Sequence, residues 1–296
     1  MPDAEFSAYL KSSAQRVDRA LDGFLPKEKV APSTIHQAMR YAVFAGGKRL
    51  RPILCLAAAE ACGGEDDLAL PAACAVEVLH TYSLVHDDLP CMDDDDLRRG
   101  RPTCHKVYGE GMAVLCGDAL LTEAFLMLTQ SKPTPRYPIG VLVQELALTS
   151  GSRHLIGGQV MDLEGEGKSL TKAQLVKIHR AKTAALLTTS LRLGAMAVNA
   201  TPAKLEALTT FGECLGLAFQ IIDDILDVTQ STEVLGKTAG KDVDVAKATY
   251  PAIVGLEKSR KEAATLTKKA MAALEVFGKK AHRLHQIADY LLVREY

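Results

Sequence analysis

Helical periodicity runs along almost the whole chain, and it limits the fold more than any other feature. Apolar residues recur at helical spacing over roughly 5–22, 33–44, 51–61, 67–89, 112–130, 138–156, 171–196, 202–229, 246–274 and 280–294. No segment alternates with period two between turn residues, so strands are not expected. Breakers cluster at roughly 63–66, 99–102, 131–138, 157–168 and 236–242. None of these stretches is long or polar enough to separate two domains. With 296 residues, 48% of them hydrophobic, the chain can bury a large core. The expected fold is all-α: one domain over residues 1–296, a single helical bundle around a central cavity.

Two aspartate clusters interrupt this apolar pattern. The first is Asp87-Asp88-Leu-Pro-Cys-Met-Asp93-Asp94-Asp95-Asp96, followed by Arg98 and Arg99. The second is Asp223-Asp224-Ile-Leu-Asp227, with Gln220 one turn earlier. Carboxylates this crowded repel one another and resist burial unless a cation neutralises them. Hard divalent ions take oxygen ligands, and Mg²⁺ is usually held by one or two carboxylates plus substrate phosphates. On an ideal helix Asp87 and Asp93 would point about 240° apart. The helix must therefore end or bulge near Pro90 for both to reach one ion cluster. Asp223 and Asp227 are i, i+4 and share a face. Plainer readings stand beside these: a solvated acidic helix end for the first cluster, salt bridges to a neighbouring helix for the second.

The basic complement is spread out. Gly46-Gly47-Lys48-Arg49-Leu50-Arg51-Pro52 places three cations at a flexible turn opening a helix, a setting suited to phosphate. It lacks the Walker A pattern. Lys182-Thr183 falls within a helix, and Lys237, Lys241 and Lys247 follow the second acidic cluster. Singly each is an ordinary surface lysine; together they suit two polyanions beside metal ions. The formal net charge of −1 gives no pull toward nucleic acid. No uncharged apolar run reaches ~18 residues and the N-terminus has no signal-peptide pattern, so no membrane span is expected. The seven cysteines form no Cys-x-x-Cys pair and read as reduced thiols of a cytoplasmic protein.

These elements together resemble the trans-prenyltransferase (polyprenyl diphosphate synthase) family. The resemblance rests on Asp-Asp-x-x-x-x-Asp followed by Arg-Arg-Gly, the second Asp-Asp-x-x-Asp and the Gly-Gly-Lys-Arg-Leu-Arg-Pro turn. It rests also on Gly157-Gly158-Gln159-x-x-Asp162, Lys182-Thr183, Phe219-Gln220 and Gly236-Lys237-Thr238, all in the family's order. The four-residue spacer in the first motif is similar to that of bacterial-type farnesyl diphosphate synthases. The family's fold is an all-α bundle of isoprenoid synthase type, usually a homodimer.

The resemblance implies a set of roles. Asp87 and Asp93 would ligate Mg²⁺ beside an allylic diphosphate, and Asp223 with Asp227 would hold a further ion, about three in all, with Mn²⁺ as a substitute. Arg98, Lys182 and Lys237 would contact the allylic diphosphate. Lys48, Arg51, His80 and Arg99 would hold isopentenyl diphosphate. Thr183 and Gln220 would present oxygens to the allylic cation, and Lys247 would help close the site. The family often ends on basic residues that aid closure; only Arg294 is available here. Tyr82, five residues before Asp87, resembles the floor of a farnesyl-type cavity, with Ser83 beside it. The implied reaction joins isopentenyl diphosphate to dimethylallyl or geranyl diphosphate and gives farnesyl diphosphate. Alternatives are a geranylgeranyl diphosphate synthase, a terpene cyclase and a non-catalytic subunit.

Overall fold

The computed structural model describes residues 4–229 and 248–292. The helices are α1 (Ala4–Phe24), α2 (Ser33–Val43), α3 (Leu50–Cys62), α4 (Leu70–Asp87), α5 (Cys104–Tyr108), α6 (Glu110–Leu128) and α7 (Ile139–Ser150). They continue as α8 (Leu155–Gly165), α9 (Lys172–His179), α10 (Ala185–Ala197), α11 (Pro202–Thr229), α12 (Tyr250–Val254), α13 (Leu256–Ala273) and α14 (His282–Leu292). A π-helical segment, Arg180–Ala184, joins α9 to α10. Strand is confined, among the described residues, to a two-residue hairpin of β1 (Leu97–Arg98) and β2 (Arg101–Pro102). The all-α expectation holds.

Composition explains the layering. Helix α1 buries only one stripe, through Phe6, Ser13, Val17 and Leu21, so it lies on the outside. Helices α3 and α10 are buried nearly all round and sit between two hydrophobic clusters. Cys55, Leu56 and Leu193 face one cluster, which α4, α6 and α7 complete. Leu54, Leu191 and Ala195 face the other, which α11 and the C-terminal helices complete.

One expected boundary is wrong. The break read over 157–168 is α8 as far as Gly165 and a turn only from 166, and the chain also turns at 151–154, read as helix. The glycine pair is there for close approach. A Cβ on Gly158 would lie 2.5 Å from the backbone nitrogen of Lys182, and one on Gly157 would strike the Ser152 carbonyl. The uncharged-run criterion for membrane spans was also too strict. By length and composition alone Asp66–Asp87, α6 and α11 could cross a membrane. In the structure α4 packs on α6, α11 packs on α13, and α4 and α11 end in the two acidic motifs.

A carboxylate pair at the N-terminal end of the bundle gives the fold a pH dependence. Arg16 grips Asp66 with both nitrogens, at 2.7 and 3.0 Å. Glu60 beside it is pushed up from 4.5 to about 7, by burial first and then by Asp66. A group whose folded pKa lies above its unfolded one stabilises the fold at low pH, and that contribution is lost as pH rises through about 7. Melting temperature should therefore fall from pH 5 to pH 7, and Glu60→Gln should flatten that slope in a thermal-melt series. An equal slope in the variant would assign the pH dependence elsewhere.

Candidate active site

The first acidic motif begins where α4 stops. Helix α4 ends at Asp87, and the chain then curls back, so that the Asp93 N–H donates to the Asp87 carbonyl at 2.8 Å. Asp94 takes a left-handed backbone, φ 48°, to complete the curl. Pro90 thus has the effect expected of it, and the two outer aspartates come together. Asp87 is half-buried and its carboxyl is pushed up to about 6, by burial first; Lys182 opposes this and Asp93 reinforces it. Asp88 is buried and takes a hydrogen bond from Arg98 Nε at 2.6 Å, so Arg98 is tied to the motif itself.

The second motif lies on the last turns of α11. Gln220, Asp223, Asp224 and Asp227 line a cavity of about 210 Å³ together with Asp162 and Lys182. Asp224, which carried no expected role, accepts the Tyr250 N–H at 2.8 Å and so fastens α12 to α11. Thr183 donates to Gln220 Oε1 at 3.1 Å, joining two expected site residues. The π segment turns Lys182 and Thr183 inward, a use of extra helical turns common at functional sites. Lys182 Nζ lies 2.7 Å from Asp162. Asp162 is a site residue whose role sequence reasoning missed, although the Gly157-Gly158-Gln159-x-x-Asp162 pattern was its signal.

A second cavity, of about 560 Å³, is lined by Arg51, His80, Tyr82, Ser83 and Asp87, with Lys182 and Thr183 shared between the two. Its remaining wall is largely apolar, including Val114, Ile156, Val160 and Leu163. Tyr82 is buried, its ring edge-on to His86 at 5.8 Å. Ser83 spends its hydroxyl on the His80 carbonyl at 2.8 Å. At the cationic side of this cavity, burial pushes Arg51 down to about 10, opposed by Glu77. Its Nε is buried and makes no hydrogen bond. His80 is pushed well below its ordinary value, by burial and then by Arg51 and Arg99. Arg99 donates to the Gly46 carbonyl, and its guanidinium occupies the space a Cβ on Gly47 would need. The hairpin is thereby clasped to the glycine turn.

Some expected residues are not brought to either cavity's lining. Asp93 and Arg99 are exposed, Arg98 is tied to Asp88, and Lys48 is exposed with its Nζ 5.4 Å from the Tyr290 ring. Lys237, Lys241, Lys247 and Arg294 lie outside the described residues. Among the described residues no three His, Cys, Asp or Glu side chains converge into a self-sufficient metal site. The donors nonetheless fit a hard cation: carboxylate pairs, with Asp87 pushed up by burial first and by Asp93 as well, leave positions for phosphate oxygens to complete.

An all-α bundle with two acidic helix ends and buried cations around an apolar cavity defines a class: a diphosphate-handling enzyme of the isoprenoid synthase fold. The polyprenyl synthetase family model matches residues 32–289. The chain is 50% identical over 295 residues to a chloroplastic geranylgeranyl pyrophosphate synthase of Capsicum annuum, covering 98% of this chain and 79% of that protein. It is 49% identical over 298 residues to the large subunit 1 of a heterodimeric geranylgeranyl pyrophosphate synthase of Arabidopsis thaliana, covering 98% and 80%. The crystal structure of an FPP/GFPP synthase from Zymomonas mobilis superposes with a TM-score of 0.86 at 36% identity, covering 98% of this chain and 99% of that one. The chain belongs to the polyprenyl synthetase family, and it is a prenyltransferase.

Proposed function

We propose that this prenyltransferase condenses isopentenyl diphosphate with allylic diphosphates and extends them to geranylgeranyl diphosphate. This departs from the farnesyl product that the four-residue spacer of the first motif and Tyr82 suggested. The observation that carries it is the agreement of relatives at about half identity, named as geranylgeranyl synthases. A second reading, a farnesyl product, is favoured by Tyr82 on the cavity wall. Incubation with isopentenyl diphosphate and each of dimethylallyl, geranyl and farnesyl diphosphate separates the two. Twenty-carbon product from all three primers is expected. Failure to extend farnesyl diphosphate would replace this reading with the second.

The roles are those the family resemblance implies, and the lining of the two cavities supports some of them. Asp87 and Asp93 would hold magnesium from one motif, Asp223 and Asp227 from the other. When bound, magnesium neutralises the allylic diphosphate's charge and so promotes its departure. Lys182, held by Asp162 between the two cavities, would meet the same diphosphate, with Arg98 at the rim. Thr183 and Gln220 turn oxygen dipoles toward the carbon that becomes cationic. The apolar wall keeps water from that carbon. Arg51 and His80 would take the diphosphate of isopentenyl diphosphate, with Lys48 and Arg99 outside them. The departing diphosphate can accept the last proton, which is consistent with no base dyad standing out.

We infer further that two copies pair through the outer face of α6 and α7. Leu115, Leu126 and Leu148 are exposed there at 56%, 55% and 49%, on two helices that are rich in apolar residues. Pairing of identical chains is the usual way such a face is covered. Light scattering at micromolar concentration should give twice the 31.8 kDa chain mass. A monomeric mass would contradict the pairing.

A further inference from the structure

Arg49 belongs to the Gly46–Pro52 turn but does not line the larger cavity. It is buried, at 4% exposure, and every arm of its guanidinium is engaged. Nε donates to Asp18 on α1 at 2.9 Å, Nη1 to Glu77 on α4 at 2.9 Å, and Nη2 to the Val43 carbonyl at the end of α2 at 2.8 Å. Glu77 is itself 2% exposed on an otherwise apolar helix. Arg49 also takes a left-handed backbone, φ 49°, as the residue capping α3. A non-glycine residue persists in that region only where its surroundings over-determine it. Here the surroundings are three helices gripping one side chain.

The consequence falls on the neighbours. Arg51 lies two residues beyond Arg49, and His80 lies one turn beyond Glu77 on the same helix. Both line the larger cavity, and the Nε of Arg51 is buried and makes no hydrogen bond. The Arg49–Glu77 pair therefore fixes the spacing between the turn carrying one anion-binding group and the helix carrying the other. We propose that Arg49, gripped by Glu77 and Asp18, is a positioning residue that sets the register of Arg51 against His80 and thereby the affinity for the isopentenyl diphosphate. This rests on the prenyl-transfer reading above. Arg49 itself touches no substrate.

The test is a split between the two substrates. Lysine cannot reproduce the planar three-way fork. Misplacing a binding group by about 1 Å can cost on the order of a hundredfold. Arg49→Lys should thus raise KM for isopentenyl diphosphate by roughly ten- to a hundredfold, with KM for the allylic primer within about twofold. A double variant, Arg49→Met with Glu77→Met, separates positioning from stability. Removing both partners of a buried pair is often neutral for the fold, whereas removing one is not. The double variant should melt near the wild-type temperature and keep the raised KM for isopentenyl diphosphate. Unchanged KM in Arg49→Lys, equal rises for both substrates, or recovery of KM together with melting temperature in the double variant would each overturn the positioning role. Wild-type protein that fails to consume isopentenyl diphosphate at all would instead overturn the prenyl-transfer reading.

Discussion

Replacement of Asp87 by alanine should lower kcat by roughly 10²–10³-fold, the usual cost of losing one preorganised group that stabilises developing charge. Asp87 stands at the end of α4, lines the larger cavity and is joined through its carbonyl to Asp93. Its carboxyl is costly to ionise in the metal-free protein: burial and Asp93 push it up to about 6. Removing it relieves repulsion, so the melting temperature of the metal-free variant should hold or rise while turnover collapses. Added magnesium should raise the melting temperature of the wild type in the presence of inorganic diphosphate, and do so less in the variant. Asp94→Ala serves as the control, because Asp94 is exposed on the curl and lines neither cavity. Near-wild-type kcat in Asp87→Ala would remove the first motif from the chemistry.

What the sequence revealed, and what it hid, follows physical lines. Helix α11 spans the 202–229 segment its periodicity marks, because Pro202 opens it and an apolar pattern runs unbroken to the second motif. The closure of Asp93 onto Asp87 was legible because Pro90 cannot sit inside a helix. The 157–168 segment was misread because Gly-Gly has two uses, breaking a helix or admitting a neighbour, and only tertiary contact with Lys182 selects between them. The π segment at 180–184 is hidden for the same reason, since one extra residue in a turn leaves no compositional mark. Arg49 and Asp224 lay inside recognised motifs, but their partners Glu77, Asp18 and Tyr250 are 28, 31 and 26 residues away. Product length is only partly legible from Tyr82, because a cavity's depth belongs to all of its walls. Val160 and Leu163 on α8 are part of that wall, in the very segment read as a loop.

Shortening Tyr82 to alanine should lengthen the product by at least one five-carbon unit. The ring is buried, lines the cavity one turn and a half before Asp87, and rests edge-on against His86 at 5.8 Å. A chain growing away from Asp87 along α4 toward its N-terminus meets that ring, since helical side chains lean over the preceding turn. Deleting an aromatic side chain from a packed core typically costs about 3–5 kcal/mol. One side of Tyr82 already faces open cavity, so the loss should fall at or below the low end of that range, and the variant should remain folded. Tyr82→Phe keeps the ring and should keep the wild-type product, which separates bulk from the hydroxyl. Product lengths read by mass spectrometry from a geranyl primer decide the matter. An unchanged distribution at normal turnover in Tyr82→Ala would mean that α8 and Val114, and not α4, end the cavity.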